Sequence, residues 1–285
     1  MNLFKTNYIY VSLPRFGLGN KLILWAKANY LANNLHIPCY VSGWVHFSIG
    51  SIIRNEKSYR FYFGYFKINF SIIFIYFYSY IFKKHFVVWN ENNIMPKNTI
   101  INIEPIAYIT DLQKMTYFRD GIIKLFYQSI HPKFLKLLIT IVKPVIGIHI
   151  RRGDFNIGNV ITPIEYYINI ISKIRMINGK CLHVTIFSDA SQNELNEILK
   201  IQNISISIEK YDIMDLLLLA HSQLIITSIG SSFSYWAAFI SEAIVIHHSQ
   251  CWVHTTRDAI TNGKQYEGVF DINNKQLMTN IKNLR

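Results

Sequence analysis

The sequence predicts an α/β fold built on a parallel, doubly wound sheet. Three observations carry this expectation. From Val145 to Ile246, short β-branched runs alternate with helical segments, the order that gives parallel strands with crossover helices. The chain opens on a βαβ unit with glycines in its first turn. The strands of the second half end in polar clusters, and open α/β sheets bind ligands at the carboxyl ends of their strands.

In the opening unit, Tyr8 to Leu13 reads as a strand, Pro14 to Asn20 as a turn, Lys21 to Asn34 as a helix and His36 to Val41 as a second strand. Leu22, Trp25, Ala26, Asn29 and Leu31 fall close to helical spacing. As a dinucleotide fingerprint, Gly17-Leu18-Gly19-Asn20 is weak. Leu22 occupies the third glycine position, and no acidic residue follows before Glu56. Its glycines still let backbone N–H groups approach phosphate oxygens, at a helix N-terminus whose dipole favours an anion. An ordinary βα turn is the alternative.

The middle of the chain is less readable. Arg54, Lys57 and Arg60 form a basic patch, and Ile68–Phe82 is an aromatic-rich run of 15 residues between Lys67 and Lys83-Lys84. As a helix it would span about 22 Å, short of a bilayer core of about 30 Å. It reads either as buried structure or as an interfacial segment whose lysines meet anionic lipid. Residues 100 to 143 turn helical in their second half, with an apolar face from Ile122 to Ile139 that Pro132 divides. Lys143-Pro144 is the expected linker between domains 1–143 and 144–285.

The second half starts with the buried strand Val145–Ile150, which ends abruptly in Arg151-Arg152-Gly153-Asp154. Charge there is costly unless it meets a ligand. Paired guanidinium groups suit a diphosphate, and a salt bridge to Asp154 is the alternative. Thr162 and Glu165 predict a capped helix to about Ile174, and Ser191 with Glu194 another to about Ile201. Between and after them lie strands His183–Phe187, Ile204–Ile208, Leu224–Thr227 and Ala243–Ile246, with helices Met214–His221 and Tyr235–Ile240. The clusters His149–Asp154, Ser188-Asp189 and Ser228–Ser234 should therefore share one sheet edge.

The same residues carry a family resemblance. His149-Ile150-Arg151-Arg152-Gly153-Asp154 resembles the His-x-Arg-Arg-x-Asp motif of GDP-fucose-dependent fucosyltransferases, most closely the bacterial α-1,2-fucosyltransferase family. Gly17-Leu18-Gly19-Asn20 resembles its Gly-x-Gly-Asn-Gln, with Lys21 where Gln is usual. Phe187-Ser188-Asp189 resembles the second motif, and Ser231–Ala238 the third, with Tyr235 in place of Trp.

The resemblance implies an inverting glycosyltransferase with two Rossmann-like domains facing a cleft, the GT-B arrangement. The N-terminal domain would take a glycan acceptor and the C-terminal one GDP-fucose. The product expected is fucose on a sugar hydroxyl, α-1,2 to galactose in a surface polysaccharide or lipopolysaccharide. By the same likeness Arg152 contacts the β-phosphate, and Arg151 supports the site or reaches the acceptor. Asp189 binds the nucleoside end, Ser231 and Ser232 donate to phosphate, and His149 orients Arg152 or Asp154. Gly17, Gly19, Asn20, Ser188, Phe233 and Ser234 complete the substrate-binding set. Arg152 and Asp154 are the catalytic candidates: Arg152 for charge on the leaving diphosphate, Asp154, beside Asp120 and Glu104, for the base. No cofactor or metal is expected, since the sequence lacks Asp-x-Asp and Asp212…Asp215 is spaced for a helix face.

Composition bounds this reading. A chain of 285 residues suits one large or two modest domains. A hydrophobic fraction of 51% excludes a disordered chain. The net charge of +12 points to anionic partners, a nucleotide or a membrane surface. Nucleic acid is disfavoured because the basic residues are scattered and no recognition motif is present. A non-catalytic membrane-surface or anion-binding module is the competing class, but it leaves the three polar clusters unexplained. Cys39, Cys181 and Cys251 lack metal-ligand spacing. With no signal sequence read at the N-terminus, they suggest reduced thiols in the cytoplasm, with peripheral contact at the inner face of the plasma membrane. Arg257, outside every matched motif, reads as a generic positive charge.

Overall fold

The computed structural model describes residues 7–46, 53, 59–67, 81, 85–88, 99–104, 106–152, 161–250, 255–257 and 265–285. Asp154, Arg54, Lys57 and, apart from Ile81, the Ile68–Phe82 run lie outside the described residues.

The strands form two parallel sheets. In the first, β1 (Tyr8–Ser12), β2 (Cys39–Ser42), β3 (His85–Val88) and β4 (Thr99–Asn102) take the order β2-β1-β4-β3. The second holds β5 (Ile146–Ile150), β6 (Val184–Ser188), β7 (Ile204–Ile206), β8 (Leu224–Ile226), β9 (Ile244–His247) and β10 (Glu267–Val269) in the order β10-β9-β8-β5-β6-β7. One sheet lies wholly before Lys143-Pro144 and the other wholly after it. β5 is buried on both faces, as its run of isoleucines requires.

Helix α1 (Leu18–Asn34) begins before Lys21, so Gly19 and Asn20 sit in its first turn rather than in a loop. It crosses α8 (Ser232–Ile240), which likewise starts earlier than Tyr235. Only glycine permits that crossing at position 19, because a Cβ there would stand 2.4 Å from the backbone nitrogen of Phe233. Trp25 and Phe126 meet Trp236 edge-on at 6.3 and 5.5 Å. Arg119 opens α3 (Arg119–Ser129) and donates from Nε to the Phe239 carbonyl at 2.6 Å and from Nη2 to that of Ser241 at 2.7 Å. It thus caps the end of α8. One apolar core therefore runs from β1 through α1 and α3 to α7 (Asp212–Ala220) and α8. A second core joins the other face of the six-stranded sheet to α5 (Ile164–Asn178) and α9 (Lys275–Lys282).

Among the described residues, the other α-helices are α2 (Thr110–Lys114), α4 (Pro132–Thr140) and α6 (Gln192–Leu199). Pro132 divides α3 from α4 as expected, and Ser191 with Glu194 forms the anticipated capping box on α6. The box at Thr162 does not form. The Thr162 hydroxyl accepts from Ile229 N at 2.8 Å, and α5 starts after Pro163. That helix outruns Ile174 and stops where Gly179 turns left-handed at φ 78°. β10 and α9 were not anticipated. Arg257 is not a surface charge either: it is buried, with Nε 3.0 Å from Glu267 Oε2 and Nη1 donating to Ala243 O at 2.6 Å.

Candidate active site

The carboxyl ends of β5 and β6 and the N-terminus of α8, which follows β8, surround a cavity of about 270 Å³, closed on the other side by the start of α1. Gly17, Gly19, Asn20, His149, Arg151, Ser188, Asp189, Ser231, Ser232 and Phe233 all line it. Residues far apart in sequence are thus gathered as the strand-end argument requires.

The three clusters are bonded to one another. Asp189 is the tie: its Oδ1 accepts Arg152 N at 2.7 Å, and its Oδ2 accepts from Nη1 of Arg151. Ser228 Oγ accepts Arg151 N at 3.0 Å and donates to His149 O at 2.6 Å, with the Tyr167 hydroxyl 2.7 Å away. Ser188 Oγ donates to Ile150 O at 2.6 Å and accepts Ala190 N at 3.0 Å. The backbone where β5 exits is therefore held from two neighbouring strands, which pre-orients whatever its side chains present.

The two arginines divide differently from the expected pattern. Arg151 is half-buried and lines the cavity. Arg152 is buried, does not line it, and turns Nη1 back to the Arg151 carbonyl at 3.0 Å. Strand geometry explains this: alternate side chains share a face, so Arg151 follows His149 toward the cavity and Arg152 points away.

His149 is buried, its ring stacked on Phe233 at 4.8 Å, with Nδ1 3.2 Å from Ser231 Oγ. Its side-chain bond thus goes to Ser231, not to Arg152. Burial first, and then the charge of Arg151, push its pKa down to about 3, so the imidazole is neutral at ordinary pH. Ser231 is the N-cap residue of α8, whose first N–H groups have no side-chain cap; such a terminus suits an anion. Ser234 does not line the cavity. It is buried and donates to Ser231 O at 3.2 Å, closing the first turn.

Gly17 differs from Gly19, since a Cβ at Gly17 would meet nothing within 4 Å. Lys21 is buried beneath α1 and donates from Nζ to Gly43 O at 2.7 Å and Trp44 O at 3.1 Å. Burial lowers its pKa to about 8. A glutamine amide could donate to the same carbonyls, so the departure at Lys21 keeps a donor.

Sequence reasoning missed part of the lining. Phe16, Arg60 and Tyr62 reach the cavity from the first half, and Asp212 and Asp215 from the start of α7. The two aspartates were visible only as a failed metal pair. Their helix-face spacing, in the first turn of the helix that leads to β8, was the available signal. Asp215 is buried and accepts from Ser207 Oγ. Neither Asp120 nor Glu104 lines this cavity. Asp120 lies at a second cavity of about 880 Å³ at the opposite edge of the sheet, near Gln223 and Ile244.

The arrangement offers a guanidinium, a neutral imidazole, hydroxyls and a helix N-terminus, with carboxylates alongside. Such groups suit a polyanion carrying a hydrogen-bonding group.

Comparison with known proteins agrees with this architecture. The family model for glycosyl transferase family 11 matches residues 107–251. No curated protein sequence matches. Fucosyltransferase NodZ from Bradyrhizobium superposes with a TM-score of 0.54 at 13% identity, over 86% of this chain and 97% of that one. POFUT1 in complex with GDP gives 0.51 at 11% identity, over 84% and 95%. Arabidopsis thaliana FUT1, a mutant in complex with GDP, gives 0.51 at 12%, over 85% and 70%. At such identities the likeness is one of fold, and that fold is the GT-B arrangement of two parallel α/β units. With the family model spanning half of its length, the chain belongs to glycosyl transferase family 11.

Proposed function

We propose that this protein is an inverting fucosyltransferase that moves L-fucose from GDP-fucose to a sugar hydroxyl, α-1,2 to galactose in a surface polysaccharide or lipopolysaccharide. The carrying observation is the convergence of Arg151, His149, Asp189, Ser231 and Ser232 on one cavity at the edge of the second sheet. Structural neighbours crystallised with GDP or GDP-fucose support the choice of donor. NodZ is itself described as an α-1,6-fucosyltransferase, so the α-1,2 linkage rests on the sequence motifs alone.

The reaction asks for little covalent chemistry. As the C1–O bond to the diphosphate lengthens, the sugar gains oxocarbenium character and the leaving group gains charge. Arg151 and the N-terminus of α8 stabilise that charge. Asp189 fixes Arg151, and neutral His149 fixes Ser231. Arg152, assigned to the β-phosphate by likeness, instead holds the turn from behind. Asp154 takes the proton of the acceptor hydroxyl. Residues 1–143 bind the acceptor and residues 144–285 the donor. No metal takes part, a reading motivated by the missing Asp-x-Asp, and turnover should survive EDTA. The site of action is the cytoplasm, at the inner face of the plasma membrane.

Calorimetry with GDP, UDP and ADP tests the reading. GDP should bind at least roughly tenfold more tightly than the others, a difference of about 1.4 kcal/mol. Equal affinities would remove the guanine assignment, and linkage analysis of product on a β-galactoside panel decides α-1,2.

A further inference from the structure

Two segments rim the mouth of the cavity, and each has two faces. In residues 59–67, Arg60 and Tyr62 line the cavity. Their alternating neighbours Phe61 and Phe63 point outward, 47% and 62% exposed, with rings 6.1 Å apart. Across the mouth, Asp212 lines the cavity while Ile208 is 96% exposed and Lys210 is exposed.

The two outer faces form one surface. Lys210 and Lys133 both lie over the ring of Tyr211, at 5.8 and 5.4 Å. Tyr65 meets that ring edge-on at 6.0 Å. The Lys133 ammonium lies 3.7 Å from where a Cβ would stand on Gly64, the residue after Phe63. Exposed Lys67 follows, its N–H bonded to Ser129 O at 2.8 Å. Aromatic and aliphatic side chains, interleaved with ammonium groups, thus crown the entrance, with Glu209 as the adjacent acid.

Exposed aromatics beside lysines are unfavourable against water alone and favourable at a bilayer interface. Rings there sit at headgroup depth, and each cation gains from an anionic leaflet. The chain's net charge of +12 adds long-range attraction of the same sign. We propose that Phe61, Phe63, Lys67, Lys133, Ile208 and Lys210 form a docking surface for an anionic lipid bilayer, which turns the cavity mouth toward the membrane. The cavity then faces a lipid-anchored acceptor, and that consequence alone rests on the glycosyltransferase reading. Docking itself does not.

Co-sedimentation of the full chain with vesicles is the test. Phosphatidylcholine vesicles containing phosphatidylglycerol should pull the protein down at low salt, and pure phosphatidylcholine should not. Raising ionic strength to about 1 M, where the screening length falls from about 8 to about 3 Å, should release it. Lys133→Glu with Lys210→Glu should lower partitioning at least roughly 30-fold, from the loss of two interfacial cations. Phe61→Ser with Phe63→Ser should also lower it, and both pairs should keep turnover on a soluble acceptor. Tyr117→Ser and Lys180→Glu, also exposed but elsewhere, should sediment like the parent. The proposal is overturned if both double variants sediment normally, if the controls fall equally, or if neutral vesicles bind as well. A protein that docks but ignores GDP would retain this inference and lose the functional one.

Discussion

Two arginine–carboxylate pairs sit in the second half of this molecule and do opposite work. Arg257 and Glu267 are both fully buried, with Nε 3.0 Å from Oε2. Glu267 also accepts from Thr256 N at 2.7 Å and lies 3.1 Å from His247 Nε2, and Arg257 donates to Ala243 O at 2.6 Å. Both groups are thus bonded within the protein, and this pair staples β9 to β10. Arg151 and Asp189 also bond, but both side chains keep part of their surface open to the cavity. The same chemical pair is closed off where protein surrounds it and keeps room for a third charge where a cavity is left beside it.

Breaking the closed pair should have the largest effect. Arg257→Ala leaves Glu267 buried and unpaired, and should cost about 3–5 kcal/mol, read as a large fall in thermal midpoint or as insoluble protein. It is therefore no control for generic loss of charge at the site; Lys180→Glu serves better. The pair also predicts acid sensitivity. Burial alone would raise the Glu267 pKa, but the hydrogen bond from His247 and the charge of Arg257 hold it at about 2, against an ordinary 4.5. A depressed folded value means stability that is full above about pH 4.5 and lost as pH falls toward 2. Glu267→Gln should flatten that limb of the stability curve.

The crossing that shapes the cavity should respond next. Gly19→Ala drives a methyl into the Phe233 backbone and should cost about 1–3 kcal/mol, whereas Gly17→Ala should leave the thermal midpoint nearly unchanged. A midpoint for Gly19→Ala equal to the parent's would disprove the tight α1–α8 contact.

The effect that is smallest at neutral pH concerns His149. Unfolded, it takes a proton near 6.5; folded, only near 3. The unfolded state therefore binds more protons between those values, and stability falls as pH drops from about 6.5 toward 3. His149→Asn should reduce that slope. A parent slope matched by the variant would refute the neutral, buried imidazole.

The legible part of this protein was the part where burial and function share a strand. β5, β6 and β8 announced themselves as apolar runs between helices, and of the polar residues at or after their ends, His149, Arg151, Ser188, Asp189, Ser231 and Ser232 line one cavity. Residues 42 to 100 were not legible, because β3 and β4 are four-residue strands without a periodic signature. Arg60 and Tyr62 therefore entered the site unannounced. β10 was hidden for a related reason, since Glu267 is buried only because Arg257 and His247 meet it. The two adjacent arginines could not be ranked by residue type, although the alternation of β5 from His149 to Arg151 already indicated which of them faces the cavity.

That ranking is the central claim and is open to one measurement: steady-state kinetics with GDP-fucose on Arg151→Ala, Arg151→Lys and Arg152→Ala, with circular dichroism to establish folding. Arg151→Ala should stay folded and lose roughly 100- to 1,000-fold in kcat, as when one preorganised oxyanion donor is removed. Arg151→Lys should not restore it, since an ammonium lacks the planar fork. Arg152→Ala should lower the thermal midpoint more than it lowers kcat. Near-normal turnover in folded Arg151→Ala, with turnover lost in folded Arg152→Ala, would contradict the account and return the leaving-group charge to Arg152.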